Sequence, residues 1–208
     1  MKLKKITIQS YNQTATEYRA TITSFDILPE LEMFTRLIFK NGRILDLGCG
    51  PGNHSKYFFD LGFDVTGIDL SKQMINIARK EFSKIDFQVM DIENLAFVDN
   101  SFDGIWASAS LIHIEKRKFS KVLHKLQKLL KDTGVLYISL KLGVGEELIK
   151  DSRYFGVSKF YSYFQYEEIE RFLNNCKFEI FDFHIIDKRT IYDTNNWIHL
   201  FIKKTNDN

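Results

Sequence analysis

Three glycines and three aspartates, each set at the end of an apolar run, are the residues of this chain whose types and spacing could do chemistry. The glycines lie in Ile44-Leu45-Asp46-Leu47-Gly48-Cys49-Gly50-Pro51-Gly52. Glycine at alternate positions lets the backbone turn tightly and brings its N–H groups close to a ligand. Asp46 puts a negative charge beside that bend, which suits a ligand carrying an ammonium or sulfonium and would repel a pyrophosphate. Asp69 ends the run Gly67-Ile68-Asp69-Leu70-Ser71. A carboxylate there accepts charge-assisted hydrogen bonds from both hydroxyls of a ribose, although it also compensates a helix N-terminus capped by Ser71. Asp91, in Met90-Asp91-Ile92-Glu93-Asn94-Leu95, is suited to accept from the exocyclic amine of adenine. Ile92 and Leu70 would then cover the two faces of the ring; an ordinary polar turn fits the same residues.

Two familiar phosphate-binding patterns fail. A dinucleotide fingerprint begun at Gly48 meets Asn53 where a third small residue is required, and no Lys-Ser or Lys-Thr follows at P-loop spacing. His113, in Trp106-Ala107-Ser108-Ala109-Ser110-Leu111-Ile112-His113-Ile114, is the candidate general base because imidazole titrates near neutrality. A histidine between two isoleucines also fits a packing role.

The elements that must position these residues alternate. Residues from about Tyr11 to Lys40 read as two helices broken near Leu28-Pro29. Strands are expected at Arg43–Leu47, Phe63–Ile68, Ile85–Met90, Gly104–Ala107 and Val135–Leu140. Helices are expected at His54–Leu61, after Ser71, and along Phe119, Val122, Leu123, Leu126, Leu129 and Leu130, ended by Asp132-Thr133-Gly134. A further helix, Glu167–Leu173, precedes strands Lys177–Ile186 and Trp197–Lys203, which follow one another directly and so form an antiparallel hairpin. Alternation of this kind implies a mainly parallel sheet covered on both faces, with ligands bound beyond the carboxyl ends of its strands.

Composition sets bounds on this. A chain of 208 residues with 44% apolar and 27% charged residues is expected to fold as one domain over residues 1–208. A formal net charge of +2 is too small to imply a polyanionic partner. Cys49 and Cys176 have neither metal-type nor secreted-scaffold spacing. The basic start Met1-Lys2-Leu3-Lys4-Lys5 leads into Thr7, Gln9 and Ser10 rather than an apolar signal core. A soluble cytoplasmic protein is expected, with no membrane partner; oligomeric state is not legible.

Together the motifs resemble the class I S-adenosylmethionine-dependent methyltransferases, in particular the large group acting on small molecules. The resemblance is most specific at Leu45–Gly52, Asp69, Asp91–Phe97 with Ser101-Phe102-Asp103, and Leu130–Leu140. It implies a Rossmann-like α/β fold: a seven-stranded, mostly parallel sheet with an antiparallel last strand and helices on both faces. It assigns Asp46 and Gly48 to the donor's methionine part, Asp69 to its ribose, and Asp91 with Ile92 to its adenine. Cys49, Gly50, Gly52, Leu70, Met74, Ala107 and Ser108 complete the expected donor-contacting set. Tyr11 and Tyr18, in Tyr-Asn-Gln-Thr-Ala-Thr-Glu-Tyr, look like the family's N-terminal element closing over the donor, within a helical cap spanning 1–40. Packing of a first helix accounts for them almost as well.

The resemblance also narrows the reaction. The Asn/Asp-Pro-Pro-Tyr/Phe signature of amine-directed enzymes is missing, no acid follows strand four before Glu115, and neither cysteine lies there as a nucleophile. Direct in-line transfer to a small-molecule acceptor is therefore expected, with S-adenosylhomocysteine as the spent donor and no metal. The insertion at 143–166 is expected to act as a substrate lid, with Arg153, Tyr154 and Tyr161 as acceptor contacts. A satellite aromatic core, with Arg153 paired to Glu146 or Glu147, is an equal alternative. Three other functions compete. Lys116, Arg117, Lys118, Lys121, Lys125, Lys128 and Lys131 form a basic helix face that would suit a tRNA or RNA methyltransferase, although most such faces are simply solvated. An NAD(P)-dependent oxidoreductase and a non-catalytic donor-binding protein are the others.

Overall fold

The computed structural model describes residues 2–21, 27–151, 156–187 and 195–205. Three helices come first: α1 (Lys2–Gln13), α2 (Ala15–Thr21) and α3 (Leu28–Arg36). The first helix thus starts nine residues ahead of Tyr11, and Leu28-Pro29 begins a helix instead of breaking one. Proline in a first turn lacks an N–H that the helix would not have used. Then follow β1 (Arg43–Leu47), α4 (Asn53–Asp60), β2 (Asp64–Asp69), α5 (Lys72–Glu81), β3 (Asp86–Val89), β4 (Phe102–Ala107), α6 (Lys116–Leu129) and β5 (Leu130–Lys141). The chain continues through β6 (Glu146–Asp151), β7 (Val157–Ser162), α7 (Tyr166–Asn174), β8 (Phe178–Ile186) and β9 (Trp197–Lys204).

Seven strands form one sheet in the order β3-β2-β1-β4-β5-β9-β8. All neighbours are parallel except β9, which runs antiparallel to both β5 and β8. The expected α/β class, sheet size and antiparallel strand are all present. Strand order reverses between β1 and β4, so the carboxyl ends of these two strands diverge to leave a crevice.

The strands alternate between two cores. Leu45 and Leu47 of β1, Ile105 of β4, and Leu136 and Ile138 of β5 face α6 and α7. Ile44, Trp106, Tyr137 and Phe201 point the other way, against Phe34 of α3, Phe58 of α4 and Ile75 of α5. Trp106 stacks on Tyr137 with centroids 3.7 Å apart and planes 10° from parallel. Phe119, Val122, Leu123, Leu126 and Leu129 make up the buried stripe of α6, each contributing about 1.5–3 kcal/mol by leaving water. α6 stops at Leu129, short of Asp132-Thr133-Gly134. Those residues fall in an irregularity of β5, where pairing with β4 jumps from Phe102↔Leu130 to Gly104↔Val135.

The segment 143–166 contains a two-stranded antiparallel hairpin, β6 paired with β7 from Glu146↔Ser162 to Asp151↔Val157. Its alternation is obscured by apolar residues that pack on the main domain: Phe160, Tyr161, Tyr163 and Phe164 are all buried. Among the described residues, no helix is long and apolar enough to cross a membrane.

Candidate active site

The bend after β1 is held by its own main chain. Gly48 and Cys49 donate their N–H groups to the carbonyl of Ile68 at 2.8 and 2.9 Å, tying the loop to the end of β2. Gly48 has φ +78°, and a Cβ there would stand 2.4 Å from the Cβ of Ser110, so the loop lies directly against the chain that follows β4. Gly52, φ +90°, precedes α4; a Cβ there would meet the Phe87 ring at 2.7 Å. Gly50 faces outward, and its N–H donates to Asp69 Oδ2 at 3.0 Å.

Asp69 is locked in place because Oδ1 accepts from the N–H of Ser71 at 2.7 Å. Each carboxylate oxygen carries two lone pairs, so each retains one for a ligand hydroxyl. Burial raises the pKa of Asp69, opposed by these main-chain bonds. Asp46 differs. It is 2% exposed and accepts from Ser55 Oγ at 2.6 Å, behind the loop and off the cleft wall. Burial pushes its pKa up to about 7, against the Ser55 bond and with the help of Asp69. Its carboxyl group thus lies behind the loop. Asp91 lies on the wall but already has partners: Oδ2 accepts from Lys4 Nζ at 2.6 Å and Oδ1 from the Glu93 N–H at 3.0 Å. Lys4 also reaches Glu93 at 3.0 Å.

His113 ends a short 3-10 turn, Leu111–His113. Its Nδ1 stands 2.6 Å from the carbonyl oxygen of Phe160. A carbonyl only accepts, so Nδ1 carries the proton and Nε2 is left as the acceptor. The Tyr11 hydroxyl lies 2.8 Å from Nε2 and donates to it. Burial lowers the pKa of His113 to about 4, and the positive charges of Lys159 and Lys141 act in the same sense while the Phe160 bond opposes it. The ring is therefore a neutral base at physiological pH, in a defined tautomer. Lys159, 1% exposed, sets its ammonium 4.5 Å from the Tyr11 ring and 5.8 Å from that of Tyr18.

These groups converge on a cleft that opens to solvent. Ten of the residues assigned to the donor in the sequence line it: Tyr11, Tyr18, Gly48, Gly50, Asp69, Leu70, Met74, Asp91, Ile92 and Ser108. His113 joins them. Asp46, Cys49, Gly52 and Ala107 stand outside the wall; Asp46, Cys49 and Ala107 are buried beneath it, and burial holds the Cys49 thiol well above its usual range. Tyr161 is buried with its ring 5.0 Å from His113, and Arg153 and Tyr154 fall outside the described residues. Among the described residues, none from the 143–166 insertion lines the cleft. Lys4, Thr7, Ile8, Ser71, Ala109, Ser110 and Ile114 line it and were not foreseen. The N-terminal three of these carry no motif; only the Tyr11 and Tyr18 spacing hinted that this helix approaches the site.

The 1–40 stretch divides in space. α1 and α2 wall the cleft, whereas Leu31 and Phe34 of α3 belong to the core on one sheet face. α1 is held down by polar contacts that include Lys4 to Asp91, Thr7 Oγ1 to the Phe160 N–H at 2.9 Å, Tyr11 to His113, and Asn12 Oδ1 to Ser71 Oγ at 2.8 Å. Arg19 of α2 makes a forked pair with Glu81 of α5.

A doubly covered parallel sheet with one antiparallel strand, a glycine bend after β1 and acids after β2 and β3 is the arrangement expected from the resemblance to class I S-adenosylmethionine-dependent methyltransferases, and the comparisons point the same way. Residues 44–134 match the family model described as a methyltransferase domain. The chain is 34% identical over 94 residues to a malonyl-[acyl-carrier protein] O-methyltransferase of Enterobacter lignolyticus, covering 45% of this chain and 37% of that protein. It is 29% identical over 145 residues to a phosphoethanolamine N-methyltransferase of Plasmodium falciparum, covering 67% of this chain and 54% of that one. It thus spans about half or less of these curated relatives. In fold it is similar to the Burkholderia thailandensis 1,6-didemethyltoxoflavin-N1-methyltransferase, solved with its substrate and S-adenosylhomocysteine: TM-score 0.78 at 19% identity, over 97% of this chain and 88% of that one.

Proposed function

We propose that this chain transfers a methyl group from S-adenosylmethionine to a small-molecule acceptor by direct in-line displacement. The observation that carries the proposal is the convergence of the glycine bend, Asp69 and Asp91 on one cleft wall. The residues present suit this donor. Asp69 keeps lone pairs for two ribose hydroxyls, Ile92 and Leu70 offer apolar cover for a flat ring, and the Asp69 carboxylate sits beside the bend. When bound there, the donor supplies an electrophilic methyl on a cationic sulfur. The chain's own work is to align that group with the acceptor and to exclude water, which lowers barriers of this kind by roughly 7–11 kcal/mol when alignment is good.

Tyr11 and His113 supply the proton path. The His113 Nε2 lone pair faces the Tyr11 hydroxyl, so an acceptor proton passed to the tyrosine oxygen lets that hydroxyl hand its own proton to the imidazole. Alternatively, the acceptor replaces Tyr11 on Nε2. In both routes the neutral ring is the base and the Phe160 carbonyl keeps it oriented.

Two features favour a small acceptor over RNA. The basic face of α6 is largely ion-paired: Lys116 with Glu168, Arg117 with Glu115, Lys118 with Glu93 and Glu115, and Lys125 with Asp99, while Lys131 falls on β5 and pairs with Asp103. The cleft, moreover, is walled by α1 and α2. Calorimetric titration with S-adenosylmethionine and S-adenosylhomocysteine tests the donor, with micromolar or tighter binding expected. Release of S-adenosylhomocysteine in the presence of pooled metabolites, with and without added RNA, tests the acceptor. Absence of donor binding by folded protein overturns the proposal, and RNA-dependent turnover alone redirects it to the nucleic-acid alternative.

A further inference from the structure

Away from the cleft, a second group of ligating side chains has no part in the reaction above. Glu30 in the first turn of α3, His184 on β8 and His199 on β9 each offer one ligand atom, all within 4.8 Å of one another. The two histidines are direct cross-strand partners in the β8–β9 register, and their rings lie parallel, 5.1 Å apart. Glu30 Oε1 is 3.0 Å from His184 Nε2 and 3.9 Å from His199 Nδ1. We propose that Glu30, His184 and His199 form a binding site for a divalent ion of the zinc type, tying α3 to the β8–β9 pair at one edge of the sheet.

Ligand chemistry, burial and access all support this assignment. Two imidazoles and one carboxylate are a set that zinc accepts in a tetrahedral site with one position left over. Glu30 and His199 are 2% and 4% exposed. A dication held between the two rings would set positive charge beside this buried carboxylate. The Tyr137 hydroxyl hydrogen-bonds His199 Nδ1 at 2.6 Å, a bond that would be exchanged for the ion when that nitrogen ligates. The His184 side chain is 40% exposed and leaves a route of entry. None of the three residues lines the cleft, so the ion would brace the fold instead of touching the reacting atoms. It would clamp α3 onto the strand pair that closes the sheet.

The test uses the whole chain, stripped with chelator and titrated with zinc chloride at pH 7.5, by calorimetry and by thermal unfolding. Wild type is expected to bind one equivalent and to melt at a higher temperature with zinc present. His184→Ala is the primary variant because this side chain is the most exposed of the three. It should weaken binding by at least about 10-fold, the smaller loss seen even for outer-shell changes, and abolish the thermal shift; Glu30→Gln should act alike. Cys176→Ser is the control, because Cys176 Sγ lies 3.3 Å from His124 Nδ1 and is the other soft donor pair among the described residues. It should leave zinc binding intact. The assignment is overturned by an absence of saturable binding in wild type, by undiminished binding in His184→Ala, or by loss of binding in Cys176→Ser. The first of these results would leave a hydrogen-bonded histidine–glutamate clamp.

Discussion

Asp69 and His113 illustrate how much of this site rests on single side chains whose second hydrogen bonds fix them. Asp69 takes one main-chain N–H on each oxygen, so it enters binding already oriented. Asp69→Asn removes the charge and one acceptor. A hydrogen bond to a charged group is worth about 1.5–3 kcal/mol, so donor affinity measured by calorimetry should fall by roughly 10- to 150-fold, with the fold unchanged by circular dichroism. His113→Gln removes the proposed base while nearly preserving volume. Turnover should drop about 100-fold or more while the donor dissociation constant stays within a factor of about three. Equal losses in both would make the ring a binding element. Tyr11→Phe separates the two proton routes: a turnover loss similar to that of His113→Gln supports the tyrosine relay, and near-normal turnover supports direct contact between acceptor and imidazole. Gly48→Ala, at φ +78° and 2.4 Å from Ser110, should displace the loop and abolish donor binding.

At the scale of elements, α1 decides how the cleft is closed. Several of its contacts with the rest of the molecule are polar, and the residues buried along it are Thr7 and Ser10. Such a helix is held by directional bonds and ion pairs, and elements with little apolar burial open at low free-energy cost. Amide hydrogen exchange should therefore be fast over residues 2–21 in the free protein and slow markedly when donor is bound, whereas β1, β4 and β5 stay protected throughout. Asn12→Ala, which frees the Ser71 hydroxyl and the Gln73 N–H, should speed exchange in α1 further without altering that of the sheet. If α1 were instead protected as strongly as β4 in the free protein, it would be a fixed wall. α6 makes the contrast. Phe119 is fully buried against Phe164 and Phe172, and Phe119→Ala should cost about 3–5 kcal/mol of global stability in urea denaturation.

For the whole molecule, three buried titrating groups with large shifts bear on how stability depends on pH. Burial lowers His54 and His113 to about 4. Unfolded imidazoles bind protons below their ordinary value near 6.5, whereas the folded ones do not, so their contribution is complete above that value and is lost as pH falls toward 4. At pH 5 each should cost on the order of 2 kcal/mol. Asp46, raised to about 7, acts in the opposite sense. The folded state holds a proton that the unfolded state has released, so stability falls as pH rises from about 4 to 7. The opposing terms should leave a shallow profile in wild type. Asp46→Asn removes one side of the balance, and urea melts should show it gaining stability at pH 8 relative to pH 5. A variant profile parallel to that of wild type would show that Asp46 is ionised throughout.

Legibility followed range. The bend at Gly48–Gly52, the strand-end positions of Asp69 and Asp91, and the alternation that builds a parallel sheet are local patterns. Short-range backbone constraint and side-chain periodicity encode them, so the sequence by itself determined the fold class and the floor of the cleft. The β6–β7 hairpin was hidden because its residues serve two partners at once and lose the alternation of a free-standing strand pair. What only the tertiary structure decided are meetings between residues far apart in the chain: Lys4 on Asp91 across 87 positions, Tyr11 on His113 across 102, and Glu30 on His184 across 154. The same holds for the withdrawal of Asp46 behind its loop, which follows from the face of β1 that the core claims. Each depends on how helices settle on the sheet, and that is a property of the packed interior as a whole, for which no short stretch of residues carries a signature.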